Sequence, residues 1–394
     1  MKSMHQVWEI VWMNLRSIPD RAGASAVIVV GIAGVVAVLV AMLSMSVGLR
    51  RTLSGTGAVD RAIVLRAGSN GELASFLDRA TTTLIRQDPS IARDPKGLPI
   101  ASAELMVITE VPRKGQKQGT NVTLRGIEPS GFELRPELRI VAGRRPRPGI
   151  RELVVGKSAQ QQFDGLAIGT RLKFRGSDWA IVGVFDSQGD AHESELIGDT
   201  ETVQSAFGRT TFSSVIAKLT SAAAFDSMKE RLATDPQVTV EVQRERDFFS
   251  GQSQTLTTLI TWLAGVISTI MGFGAVFGAL NTMYSAVSAR TTEIGTLRAL
   301  GFGALPVIAS VMAEALILAA AGGLIGALLA YVLFNGYSVS TLGSNFTQIA
   351  FAFAVTPGLV VGGLMIALAI GFLGGLLPAW RAARLPVTVA LRGN

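Results

Sequence analysis

Three short stretches of this 394-residue sequence hold residue types that do chemistry. The run Val154-Val155-Gly156-Lys157-Ser158 reads as a strand entering Gly-Lys-Ser, the closing half of a phosphate-binding loop. Such a loop also needs a glycine five residues before Gly156, to permit the turn that aims backbone N–H groups at phosphate. Arg151 stands there, and no acidic Walker-B-like strand accompanies it, so a surface lysine at a helix start is the better reading. In Asp190-Ala191-His192-Glu193-Ser194-Glu195 an imidazole lies among carboxylates, a donor set that suits divalent cations. With no second histidine nearby, a lone histidine in an acidic surface loop is simpler. Glu314 is an ionisable residue in an otherwise apolar run, and it is either functional or a hydrogen-bonded structural carboxyl facing other helices. No nucleophile–base–acid set stands out, and the absence of cysteine excludes disulfides and thiolate metal sites. The chain reads as non-catalytic, with no catalytic, metal or cofactor-binding residues of its own.

Composition explains why these groups are sparse. Charged residues make up 16% of the chain against roughly 25% in soluble domains, while 48% is apolar and mean hydropathy is +0.41. That balance belongs to an integral membrane protein, and it excludes disorder and a purely soluble enzyme. A bilayer crossing takes about 20 apolar residues. Four charge-poor runs meet that length: 22–48, 256–288, 305–333 and 349–377, the last two divided by the polar loop 335–348. The first is about twice as long as the roughly 7–15-residue core of a signal peptide and reads as a retained anchor.

Orientation follows from the flanking cations. Lys2, Arg16 and Arg21 precede the first span, Arg290 and Arg298 lie between the second and third, and Arg381, Arg384 and Arg392 follow the fourth. The 335–348 loop has none. The positive-inside rule therefore puts both termini, the 1–21 leader, the 289–301 connector and the 378–394 tail in the cytoplasm, and residues 50–254 outside. Much of the net charge of +7 is thus an orientation signal, and no nucleic-acid partner is needed to account for it.

The insert holds 28 Lys and Arg and 25 Asp and Glu, an ordinary soluble surface. Strand patterns at 62–66 and 104–111 enclose a helical pattern at 72–86. Near the end, strands at 214–219 and 238–242 enclose a helix at 222–232. These units bracket a β-rich lobe with strands at 122–126, 152–155, 171–174 and 180–185. The expected fold is an α-helical membrane protein with four transmembrane helices and a large α+β extracytoplasmic domain inserted between helices 1 and 2.

Glycines four apart (Gly274 and Gly278, Gly322 and Gly326, Gly358 and Gly362, Gly371 and Gly375) each place a small face on a membrane helix. They serve packing within one four-helix unit or contact with a second protomer. The connector Ser285–Gly301 has Ile294 and Leu297 at near-helical spacing beside Arg290, Glu293 and Arg298. It reads as a short amphipathic helix that docks on another protein, or as a solvated turn anchored by its arginines.

Together these features resemble the FtsX/MacB-like permeases of ABC transporters over the whole chain. The likeness rests on Asn14-Leu15-Arg16 before the first span, on Arg290-Thr-Thr-Glu293-Ile294-Gly295-Thr-Leu297-Arg298-Ala-Leu-Gly301 after the second, and on Pro378-Ala-Trp-Arg381-Ala-Ala-Arg384-Leu-Pro386-Val387 at the close. Glu152-Leu-Val-Val-Gly156, Gly169-Thr-Arg-Leu172 and Ala180-Ile-Val-Gly-Val-Phe185 are similar to the β-lobe of MacB-type domains. The resemblance implies a permease that pairs with a second protomer, identical or paralogous, and with separate cytoplasmic ATPase subunits that bind ATP and Mg. It makes Arg290, Glu293, Ile294, Gly295, Leu297 and Arg298 the coupling helix, and it implies a bacterial inner-membrane location, with a periplasmic adaptor as a further partner in export. Three functions fit it: substrate export, lipoprotein release, and mechanical or sensory transmission without transport.

Overall fold

The computed structural model describes residues 22–116, 118–300, 303–342 and 347–384, so the leader and the end of the tail lie outside the described residues. Two compact units result. Among the described residues a membrane unit comprises residues 22–47, Thr258–Tyr337 and residues 353–384; an outer unit comprises Gly48–Thr257 and Ser338–Ala352.

In the membrane unit, helices α1 (Ala22–Gly55), α7 (Glu245–Ala289), α9 (Ala304–Phe334) and α10 (Pro357–Ala383) are each long and apolar enough to cross a bilayer. α1 and α7 have 34 and 45 residues. At about 1.5 Å per residue α7 is roughly 68 Å long, about twice the hydrocarbon thickness, so its first turns belong to the outer unit. A short helix, α8 (Thr291–Ala299), joins α7 to α9. The apolar run 349–377 divides: its first residues pair as a strand, and the helix starts only at Pro357, whose fixed φ suits a first helical position.

The outer unit is built on one ten-stranded sheet ordered β10-β1-β9-β2-β3-β8-β5-β7-β4, with β6 added to β7. Its strands are β1 Arg61–Arg66, β2 Ala101–Pro112, β3 Gly119–Ile127, β4 Arg139–Gly143, β5 Glu152–Gly156, β6 Arg171–Phe174, β7 Ser177–Asp186, β8 Leu196–Asp199, β9 Ser214–Lys218 and β10 Val240–Arg244. The two strand–helix–strand units interleave: β1 lies between β9 and β10, and β9 between β1 and β2, all antiparallel. β2 is long enough to pair with β9 at Ala101–Glu104 and with β3 at Leu105–Pro112, so the expected separate lobe is a continuation of the same sheet.

Helices α2 (Arg79–Arg86), α3 (Pro129–Leu134), α4 (Lys157–Gln162), α5 (Thr200–Phe207) and α6 (Ala224–Thr234) complete the unit. The helix anticipated over 72–86 is split into a 3-10 turn at Glu72–Ala74 and α2. Asp78 caps α2 by accepting from the Thr81 N–H at 2.7 Å, while Glu72 is drawn into the interior. The polar loop after α9 is a hairpin, β11 (Ser338–Leu342) paired with β12 (Gln348–Ala352), and it belongs to the outer unit.

Candidate functional site

Two clusters of charge, one in each unit, are the candidates. The first lies inside the outer unit, where apolar patterning predicts hydrocarbon. Arg125 on β3 sends its guanidinium to Glu72 (2.7 and 2.9 Å), Glu195 (2.7 and 3.0 Å) and Glu104 on β2 (3.1 Å). Glu104 also receives Arg135 at 2.5 and 3.0 Å, and Arg135 reaches Glu245, the first residue of α7, at 3.4 Å. Glu245 in turn pairs with Arg61 on β1 at 2.5 Å, and Arg61 with Glu137. The side chains of Arg125, Arg135, Glu72, Glu104 and Glu245 are at most 1% exposed.

Charges removed from water this completely persist only when each is paired and hydrogen-bonded. Five carboxylates face three guanidinium groups, and this acidic excess bears on His192, whose Nδ1 lies 3.1 Å from Glu195. Burial opposes the charged imidazole, but Glu195 and Asp190 outweigh it and hold the His192 pKa above its usual 6.5. Burial pushes Glu195 the other way from its partners; Arg125 and His192 prevail and hold its carboxyl far below the carboxylate range. Asp190 is raised by its burial. The surface-loop reading of His192 is therefore corrected: the turn Ala191–Ser194 is buried because Glu195 is recruited by Arg125.

Because the folded His192 pKa is raised, its contribution to stability is complete below pH 6.5 and is lost as pH rises through the folded value. His192→Gln is expected to remove about 2 kcal/mol at pH 6 and less at pH 9, read from thermal unfolding of the full chain at both pH values.

The Gly-Lys-Ser run is explained by the same turn. A methyl group at Gly156 would stand 2.0 Å from the Glu193 carbonyl oxygen, Lys157 pairs with Asp186 at 2.8 Å, and the Ser158 hydroxyl donates to Glu193 at 2.9 Å. All three residues are occupied in holding 186–195 in place. Gly57, with φ +80°, makes the tight turn after α1, where a side chain would meet the Glu245 backbone at 3.0 Å. A cavity of about 20 Å³ is bordered by Glu72, Arg125, Glu195, Phe249 and Ile349. Among the described residues no group of three His, Asp or Glu side chains is arranged to hold a metal ion. The cluster's chemistry is that of a clamp between strands and helix ends.

The second cluster lies in the membrane unit around α8. Arg290, at its N-terminal boundary, pairs with Glu314 on α9 at 3.1 Å, both buried. Arg298, in its last turn, donates to the carbonyl of Ala383, the last residue of α10, at 2.5 Å. Ile294 packs in the apolar core with Met283, Val287, Val307 and Val311, and Gly295 is buried beside it. Glu293, Thr296 and Leu300 are exposed. The short helix is thus fastened to α9 at one end and to α10 at the other.

Glycine contacts show how three of the four long helices, α1, α9 and α10, meet. Methyl groups at Gly322 and Gly326 would stand 2.8 and 2.4 Å from the Val29 and Ala33 carbonyl oxygens of α1. At Gly371 and Gly375 they would stand 2.4 and 2.7 Å from Ala319 and Ala315 of α9. Among the described residues, a methyl group at Gly274, Gly278 or Gly362 would meet nothing within 4 Å, and one at Gly358 would meet the Thr356 hydroxyl at 3.9 Å.

The buried residues Arg61, Arg125, Arg135 and Glu104 are not among the site residues expected from the sequence, although Glu104 opens the strand expected at 104–111. One signal was available: a charged residue interrupts the apolar alternation within β2 (Ala-Glu104-Leu-Met-Val) and β3 (Val-Thr-Leu-Arg125-Gly). Pairing Arg290 with Glu314 required the fold.

Comparison with known proteins matches residues 25–235 to the MacB-like periplasmic core domain and residues 265–387 to the FtsX-like permease C-terminal region. An ABC transporter permease of Bacillus subtilis, YknZ, is 26% identical over 410 residues, 96% of this chain and 95% of that one. The macrolide export ATP-binding/permease protein MacB of Nitrobacter winogradskyi is 26% identical over 255 residues, 60% of this chain. The matched stretch is 37% of that relative, so the chain spans little more than a third of its length. Among solved structures, the extracellular domain of YknZ matches with 16% identity and a TM-score of 0.36, covering 46% of this chain and 99% of that one. The periplasmic region of MacB from Actinobacillus actinomycetemcomitans matches with 17% identity and a TM-score of 0.37, covering 52% and 94%.

Proposed function

Because the chain belongs to the family that joins a MacB-like periplasmic core domain to an FtsX-like permease region, and so is an ABC transporter permease, we propose that it converts ATP hydrolysis by a separate cytoplasmic subunit into movement of its outer domain. The observation that carries this reading is the double fastening of α8, by Arg290 to Glu314 and by Arg298 to the Ala383 carbonyl. A force applied at the exposed Glu293 side of α8 reaches two membrane helices at once. α1 and α7 run on into the outer unit, so motion of the membrane helices is passed outward along continuous backbone.

In this proposal both termini and α8 face the cytoplasm of a bacterial inner membrane. Two protomers, identical or paralogous, meet two ATPase subunits that supply ATP and Mg chemistry, and an adaptor extends the path beyond the membrane. Export of an amphipathic solute is the preferred cargo step, since export appears in the name of the MacB relative; lipoprotein release is the alternative. The deciding experiment is co-purification of the full chain with its ATPase. Glu293→Ala combined with Leu297→Ala is expected to weaken complex formation and stimulated ATPase at least tenfold. Unchanged binding and stimulation would show that α8 is not the coupling helix.

A further inference from the structure

The hairpin β11–β12 joins α9 to α10, yet it is part of the outer unit. Two paired strands of five residues are marginal in water by themselves, so the order of this hairpin has to come from what it packs on. Three contacts within the outer unit define that seat. The Ala350 N–H donates to the Ser194 hydroxyl at 2.8 Å, both groups buried. Ala352 lies so close to the outer end of α1 that a methyl group at Gly48 would stand 2.1 Å from its carbonyl oxygen and 3.3 Å from the Phe351 ring. Ile349 borders the small cavity beside Arg125, Glu195 and Phe249.

The turn that receives Ala350 also receives the other two connections. The Ala191 N–H donates to Thr56, just past the end of α1, at 2.9 Å, and the His192 ring meets the edge of Phe249 on α7 with centroids 5.3 Å apart. Ala191, His192 and Ser194 thus each hold a different membrane connection, and Glu195 ties the turn to the sheet through Arg125.

We infer that the β11–β12 hairpin is a third transmission link, which carries motion of α9 and α10 to the outer domain through the Ala191–Glu195 turn, with Ser194 and Gly48 as its positioning residues. This rests on the reading of the chain as an ATPase-driven permease. It adds that the two helices fastened to α8 have their own route outward, parallel to the backbone of α1 and α7. Hydrogen bonds from backbone amides to buried hydroxyls and close backbone approach transmit displacement with little slack, because a packed contact shifts between discrete arrangements and does not stretch.

The test uses the full chain in nanodiscs and amide hydrogen exchange at Gln348–Ala352 and Ala191–Ser194. Gly48→Ala and Ser194→Ala are each expected to speed exchange of the Ala350 amide about tenfold. Gly34→Ala, on α1 where a methyl group meets nothing within 4 Å, is expected to leave it unchanged. Unaltered exchange in both hairpin variants would mean that the hairpin is not seated as argued, and would overturn the inference. In a second arm the ATPase is present with ATP and orthovanadate. The unaltered chain is expected to change exchange in the turn, and Gly48→Ala to lose most of that change while still binding the ATPase. A full response in Gly48→Ala overturns the hairpin link alone. No response in the unaltered chain overturns the ATPase-driven reading, and the link falls with it even if the first arm succeeds.

Discussion

Arg125→Ala is expected to destabilise the outer domain by about 3–5 kcal/mol. The guanidinium accepts no substitute partner, because Glu72, Glu104 and Glu195 all point at it from separate elements and are themselves at most 7% exposed. Removing it leaves like charges facing one another without solvent; Glu195 already works against ionisation of Glu72 in the intact protein. Arg125→Lys keeps a charge but not the planar fork that serves three carboxylates, so it is expected to recover only part of the loss. The pH dependence has a definite sign. Despite its burial Glu72 is held below its usual 4.5 by Arg125, so this stabilisation is present above pH 4.5 and is lost as pH falls through the folded value. In Arg125→Ala the carboxylates gain from protonation, and the gap between variant and unaltered protein should narrow toward pH 4. Thermal unfolding of the purified full chain at pH 4 and pH 7 measures both.

The second large effect is expected at the other cluster. Arg290→Ala leaves Glu314 as a buried carboxylate among apolar helices, at a cost of roughly 3–5 kcal/mol. Glu314→Gln in the same chain removes the buried negative charge and is expected to restore stability to within about 1 kcal/mol, since replacing both partners of a buried pair costs far less than removing one. ATPase coupling should not return with it. The double variant has a stable bundle, but α8 lacks its ion pair to α9. Stimulated ATPase activity at least tenfold below that of the unaltered complex, with recovered thermal stability, is the expected pair of results. Restoration of both would mean that the ion pair is a packing feature without a part in transmission.

Both clusters show where a linear reading stops. Membrane spans were legible because a bilayer imposes a length and excludes charge along consecutive residues; α9 lies within one residue of 305–333 at each end, while α1 runs on past 48 to Gly55. The strands of the insert were legible from alternation; Arg171–Phe174 was read at its observed bounds. The hairpin was not. Its polar residues and glycines look like a loop, and Ile349–Ala352 merges with the apolar run that follows, because a strand seated on a protein surface and a helix in lipid draw on the same residues. Glu72 opens the helical pattern read over 72–86, whereas its position is set by Arg125, fifty-three residues away.

Local propensity and hydropathy by themselves therefore determined the four spans, the α+β character of the insert and the helical connector. These are properties of neighbouring residues and of the solvent each segment prefers. The tertiary structure alone decided the partners: Arg125 with three carboxylates, Arg290 with Glu314, Gly322 and Gly326 against α1, and Ala350 on Ser194. Each of these energies depends on distance and burial, and neither quantity exists until chain segments far apart in sequence are brought together and water is removed from between them.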